Sequence, residues 1–321
     1  MDKKILAQVE KTLHNASIAS VRSWLKGNGK KFSAGTRDRM IARVATLIEK
    51  SEITFAELED AIIGIEEAGG KLLVLYKFDE DCTSSAVKTQ LAKLGLTIAT
   101  TRQLAKPSPS KPTVAYATLQ GDVLRVKWSE THNKPRMDFD QDKVEYDDVS
   151  KVIVLVANLK TKKAEIRYDR PEIFHPHSGS AKAKDSYFNY YAKLAETILG
   201  VKLIKSELQK ALKKLIEDQP SLVRLHRGGH TNQRNNYFSG TVRKGEADIR
   251  DDDEYKAMYA KSGNAWSYED QSFYWRPDRS DGALTRQVFS HVDTLASSLR
   301  VDADCWDAEV EYAVQKIREL Q

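Results

Sequence analysis

Apolar residues recur at three- and four-residue spacings over residues 4–13, 18–25, 37–50 and 55–68, the period of helices with one face turned to a core. Thr54 followed by Glu57 spells a capping box at the head of the last of these, and Gly69 and Gly70 end the pattern. Residues 1–70 therefore read as a small all-helical unit. KLLVLYKF, residues 71–78, is too short for a buried helix and predicts a strand; a helix over 84–94, stopped by Gly95, completes a strand-helix extension at 71–104. AKPSPSKP, residues 105–112, holds three prolines and predicts an extended, exposed linker.

Beyond that linker the period changes to two. VAYATL, DVLRVKW, KVIVLVANL and AEIRYD, all within 113–169, predict an antiparallel meander or part of a barrel. Past Pro171 the pattern is helical again over 186–200 and 202–218, with Leu203, Ile204, Leu208, Ala211, Leu212 and Leu215 on one stripe. A hairpin follows over 221–245, SLVRLHR and YFSGTVR around the polar stretch GGHTNQRNN. A helix over 253–261, an aromatic strand QSFYWR and a helix over 305–320 finish the chain. The expected class is α+β: an N-terminal helical unit, then a mixed region, 113–321, with an antiparallel sheet, flanking helices and a candidate division at 171–185.

Composition narrows the classes. With 321 residues and 40% apolar content the chain can bury a sizeable core, and no apolar run approaches the roughly 18 residues that span a bilayer. The N-terminus has no signal-peptide pattern, so the expectation is a cytoplasmic protein without a membrane partner. Cys82 and Cys305 are too few and too far apart for a disulfide framework or a thiolate zinc site, and predict two thiols.

The net charge of +5 is distributed unevenly. Residues 1–111 hold 18 Lys or Arg against 13 Asp or Glu, residues 171–245 hold 13 against 6, and residues 246–321 reverse to 9 against 17. Two basic zones suit a polyanion, and the acidic end suits a basic protein partner. The first zone centres on KGNGKKFSAGTRDRMIARV, residues 26–44. Here one helix stops at glycine and a second starts near Thr36, with Lys30, Lys31, Gly35, Arg37 and Arg39 around its N-terminus and Arg43 one turn further on. Unpaired N–H groups and the positive end of the helix dipole attract phosphate, and cations in a first helical turn are mildly unfavourable to the helix itself.

Residues 18–44 resemble a SAP domain, the short helix-extended turn-helix module of many DNA-binding proteins. The likeness runs through Ile18, Val21 and Leu25 on the first helix, Gly29 as its stop and Gly35 before the second helix. Arg37 stands where the family usually has lysine, and MIARV, residues 40–44, stands for its Leu-Ile-x-Arg-Leu ending. The turn is one residue longer than the family's, and Lys30 replaces an apolar residue whose place Phe32 can take. The resemblance covers about a tenth of the chain and implies duplex DNA binding through backbone amides and basic side chains of the second helix. The remainder of the chain resembles no family.

In the second zone Arg224, Arg227, Arg234, Arg243 and Lys244 can line a groove, and Tyr237 and Phe238 can stack on bases. The same stretch also reads as a surface hairpin whose aromatics enter a core. His175, His177, His226 and His230 would need to converge to hold zinc, and surface histidines are the expected reading. EADIRDDDE, residues 246–254, can supply carboxylates for a metal-dependent nuclease or a cap and solvated loop ahead of the next helix. No Walker, HExxH, kinase or Rossmann pattern occurs. The expected function is DNA binding without cofactor, metal or catalytic residues; the alternatives are that nuclease or an adaptor with a death-fold-like helical N-terminus.

Overall fold

The computed structural model of the chain describes residues 2–13, 16–32, 35–104, 112–138, 143–169, 181–232, 236–242, 247–262, 265–302 and 305–321. Among them run the helices α1 (Lys3–Thr12), α2 (Ile18–Gly27), α3 (Arg37–Glu49), α4 (Phe55–Ala68), α5 (Ser84–Lys93), α6 (Ala181–Leu199), α7 (Gln209–Glu217), α8 (Asp253–Ser262) and α9 (Asp307–Glu319). The strands are β1 (Leu72–Lys77), β2 (Thr113–Gln120), β3 (Val123–Asp138), β4 (Lys143–Asn158), β5 (Lys163–Tyr168), β6 (Ile204–Lys205), β7 (Val223–Thr231), β8 (Tyr237–Thr241), β9 (Ser267–Trp275), β10 (Val288–Asp293) and β11 (Ser298–Val301). The class is α+β, as the periodicities predict. No helix among the described residues is long and apolar enough to cross a membrane.

Contacts divide the chain into two compact units, Met1–Gly69 with Phe78–Leu203, and Gly70–Lys77 with Ile204–Gln321. The stretch 71–104 is thus not a single extension: β1 belongs to the second unit and α5 to the first. Residues 105–111 of the expected linker lie outside the described residues, as does most of the candidate division at 171–185.

In the first unit the capping box is present: Thr54 Oγ1 accepts from Glu57 N and Glu57 Oε2 accepts from Thr54 N at 2.7 Å. Val9, Leu13, Val21, Leu25, Met40, Val44, Leu47, Leu58 and Ile62 are fully buried, so the apolar stripes of α1 to α4 meet as one core. The sheet runs β2–β3–β4–β5, antiparallel throughout. The register places Leu124, Val126 and Trp128 on one face with Ile153, Leu155, Ile166 and Tyr168. Tyr191 of α6 lies edge-on to both Trp128 and Tyr168 there, at 5.8 and 6.0 Å. The opposite face carries Tyr116, Arg125, Lys127, Glu165 and Arg167. β3 and β4 continue past both neighbours as a two-stranded ribbon ending at Asp138↔Lys143, and its register sets position 134 against 147 and 136 against 145.

The second unit's sheet runs β1–β11–β10–β9–β7–β8, again antiparallel, and β6 pairs with the end of β1. α7 contacts β7, β9 and α9, and Trp275 of β9 meets Tyr312 of α9 edge-on at 5.6 Å. The helix expected over 202–218 begins only at Gln209, because Ile204 and Lys205 take ladder pairings with Lys77 and Tyr76 instead. Ile204, expected on the buried stripe, is consequently exposed, whereas Leu208, Ala211, Leu212 and Leu215 are buried. Both cysteines are buried and neither is in a disulfide.

Candidate nucleic-acid interface

The turn between α2 and α3 is built by local rules. Ser17 caps α2 by accepting from Ser20 N, and Thr36 caps α3 by accepting from Arg39 N at 3.4 Å. α2 stops at Gly29, whose φ of +69° suits glycine, and Lys30 N donates back to Leu25 O at 2.8 Å. Gly35 has no left-handed φ and open space where a Cβ would stand, so the fold itself does not demand a glycine there.

The cations of this zone divide into two groups. Arg37 donates from Nη2 to Leu13 O at 2.6 Å and from Nη1 to Ala16 O at 3.3 Å, satisfying carbonyls at the end of α1. It is half-buried and serves the bundle through these two bonds. Lys30 pairs with Glu52 at 3.4 Å, Arg43 donates to Lys31 O at 3.1 Å, and the Arg22 guanidinium lies 5.8 Å above the Phe32 ring. Lys26, Lys31 and Arg39 are exposed, and their charges are not engaged in any ion pair among the described residues. No acidic residue occurs between Glu10 and Asp38, whereas six basic ones do.

The second zone looks different from its sequence. Arg224 is buried, donates to Ala247 O and Gln287 Oε1 at 3.2 and 3.1 Å, and stacks 4.2 Å over Tyr274. This corrects its expected role as a groove cation. Arg227 pairs with Asp270 at 3.0 Å and stays partly exposed. Arg234, Arg243 and Lys244 lie outside the described residues, as do His175 and His177. Tyr237 and Phe238 are exposed on β8 rather than entering the core. The GG of HRGGH sits within β7, not in a turn: a Cβ on Gly229 would stand 2.9 Å from Asp270 O, and one on Gly228 2.7 Å from His230 Nε2. Close approach of strand and ring explains both glycines.

His230, expected at the surface, is fully buried and stacks on Trp266 at 4.2 Å, with Tyr268 at 4.8 Å and Tyr255 at 6.1 Å. Neither ring nitrogen has a hydrogen-bond partner among the described residues. Burial pushes its pKa down to about 4, so the ring is neutral at pH 7. Within the acidic run, Asp248 and Asp252 are engaged by the fold itself. Asp248 is buried and accepts from Leu225 N, Arg250 N, Arg250 Nε and Arg250 Nη2. Burial opposes its ionisation, but the hydrogen bonds from Arg250 outweigh it and hold the carboxyl below its ordinary range. Asp252 caps α8 through Glu254 N and Tyr255 N, the capping role that its position suggests. No group of three or more metal-ligating side chains exists among the described residues.

One constellation has no signature in the sequence motifs. Glu67, fully buried at the end of α4, accepts from Tyr116 Oη at 2.7 Å, Arg125 Nη1 at 3.0 Å and Arg102 Nη1 at 3.2 Å. Lys127, equally buried, donates to Glu66 Oε2 at 2.7 Å and Gln103 O at 3.1 Å. Beside them Arg167 pairs with Glu165 at 2.7 Å. Burial first, and then the Glu67 charge, push the Tyr116 hydroxyl far above its ordinary pKa, so it stays a donor. Mostly buried and internally paired, the cluster holds α4 against the sheet. No protein-family model matches the chain, and no curated protein matches it.

Proposed function

We propose that the protein binds duplex DNA through its N-terminal bundle, with the α2–α3 turn and the first turn of α3 against the phosphate backbone. The observation that carries this reading is the sorting of cations at that turn: Arg37 and Arg43 serve backbone carbonyls, while Lys26, Lys31 and Arg39 stay exposed in a stretch, residues 11–48, whose one acid is Asp38. The SAP-like spacing of residues 18–44 supports the same use. Arg227 with Tyr237 and Phe238 is a secondary contact, reduced by the loss of Arg224 to the interior. We place the protein in the cytosol, where thiols such as Cys82 and Cys305 persist.

Three phosphate contacts give a salt slope of about −2.7, so affinity for a 20-base-pair duplex should fall roughly 40-fold between 50 and 200 mM salt. Fluorescence anisotropy on the K26Q/K31Q/R39Q triple variant should show most of that affinity and slope gone while circular dichroism is unchanged. Equal affinity of variant and parent for duplex would refute the proposal; equal loss on single strands would show that the partner is not duplex DNA.

A further inference from the structure

β8 is an edge of the second unit's sheet: among the described residues it pairs with β7 and with no other strand. The register decides which of its backbone groups remain open. Val242 N donates to His226 O and Asn232 N donates to Asn236 O, and both pairs share the registry of Gly228↔Gly240 and His230↔Phe238. Residues 236, 238, 240 and 242 therefore turn their N–H and C=O groups toward β7. Tyr237, Ser239 and Thr241 turn theirs outward.

Space lies beside that edge. A cleft of about 640 Å³ runs along Ser239 to Val242 and is closed on its far side by the 3-10 turn Ile249–Asp251 and by α8. Ile249, Tyr255 and Met258 give it an apolar floor, and Asp251, Asp252 and Glu254 give it a carboxylate rim. No Lys, Arg or His lines it among the described residues. The Asp251 and Glu254 carboxylates are exposed, and neither is tied up in an ion pair among the described residues. An edge strand with a row of outward donors and acceptors is a template for one more strand, and natural proteins shield such edges with lysine or cover them. Here the strand itself carries no charge and the neighbouring rim is negative.

We propose that β8 is the docking edge for an extended basic peptide, which adds as a strand beside Ser239 and Thr241 and sets its Lys or Arg side chains against Asp251 and Glu254. Main-chain hydrogen bonds supply the affinity of such strand addition, and the pocket chemistry on alternate side chains supplies the selectivity. Alternation follows: basic side chains toward the rim interleave with small apolar ones over the Ile249 and Met258 floor. The site is independent of the N-terminal DNA contact but shares β8 with the secondary contact at Tyr237 and Phe238.

The test uses the full chain and a fluorescein-labelled ten-residue peptide of alternating Lys or Arg and Val, with a Glu-Val peptide as control. The basic peptide should bind, the acidic one should not, and the D251N/E254Q variant should lose at least tenfold in affinity. Ser239→Pro removes an outward N–H without touching the β7 ladder and should lose a similar factor. Hydrogen exchange on the unmodified protein should show new protection at Ser239 and Thr241 when the peptide is bound, a readout that does not depend on the variant folding. Protection confined to other segments, equal binding of the two peptides, or full affinity in D251N/E254Q would each overturn the proposal.

Discussion

His230 makes the second unit acid-sensitive well above the range in which carboxylates titrate. Its ring is buried without a polar partner, between Trp266 and Tyr268, and its pKa is lowered to about 4 from the ordinary 6.5. The groups facing it do not compensate a positive charge: Tyr255 and Tyr268 are held neutral by burial, and Glu217 is engaged by the Tyr268 hydroxyl at 2.6 Å. Between pH 6.5 and 4 the unfolded chain binds a proton that the folded chain refuses, so stability falls as pH drops through that window. The loss from this residue alone is about 2 kcal/mol at pH 5 and about 3 kcal/mol at pH 4, because each tenfold difference in proton affinity between the two states is worth about 1.4 kcal/mol. Trp266 would attract an imidazolium by about 1 kcal/mol, which is too little to change the sign. His230→Phe keeps the stack and removes the titration. Urea unfolding followed by tryptophan fluorescence at pH 7.5 and 5 should show the parent losing about 2 kcal/mol more than the variant. His226 and His291 also have lowered pKa values and contribute equally to both proteins, so the difference isolates His230. Identical pH profiles for parent and variant would refute the reasoning.

Arg37→Gln should lower stability by about 2 kcal/mol, since Leu13 O and Ala16 O lose charged donors, and chemical denaturation at fixed salt measures it. A change in DNA affinity without that loss would return Arg37 to the interface. Lys127→Met leaves Glu66 and Glu67 with one cation fewer in a dry site and should destabilise the first unit by about 3–5 kcal/mol by the same measurement. Replacing Glu66 and Lys127 together by Met should recover much of this, because the charge left alone is what is costly.

Elements were legible where one face meets solvent. The four N-terminal helices and the capping box at Thr54 follow from periodicity and cap chemistry within a residue or two, whereas the hairpin of β7 and β8 is legible only in outline, because Gly228 to Thr231, expected in the turn, extend β7. β10 and β11 carry no such signal, because SHVD and SLRV are short and interrupted by polar residues whose burial depends on neighbouring strands. The extension of β3 and β4 beyond Trp128 is hidden as well, since ETHNKPRMD has no apolar alternation and its strand pairing comes from the partner strand alone. Arg125 and Lys127 alternate with Leu124, Val126 and Trp128 as a solvent-facing strand would. Only the distant Glu66 and Glu67 convert that face into an interior. AIIGIEEAGG carries the one local hint: two acids follow the apolar run of residues 61–65 in the second half of α4.

Charge counts alone therefore mislead about binding in a specific way. Arg37, Arg125, Lys127, Arg167 and Arg224 all raise the basic count of the chain, yet each is consumed inside it by a carbonyl, a carboxylate or a ring. What remains for a polyanion is set by which cations lack an internal acceptor. At the α2–α3 turn these are Lys26, Lys31 and Arg39, carried on a rigid bundle whose acids are concentrated after Ala45. Seven of the eight charged residues from 45 to 69 are acidic, and Glu66 and Glu67 among them are buried against the sheet. The bundle thus faces its own sheet with carboxylates and leaves its opposite charge on the segment before them. A polyanion approaching α2 and α3 meets that positive segment with two of the acids already neutralised.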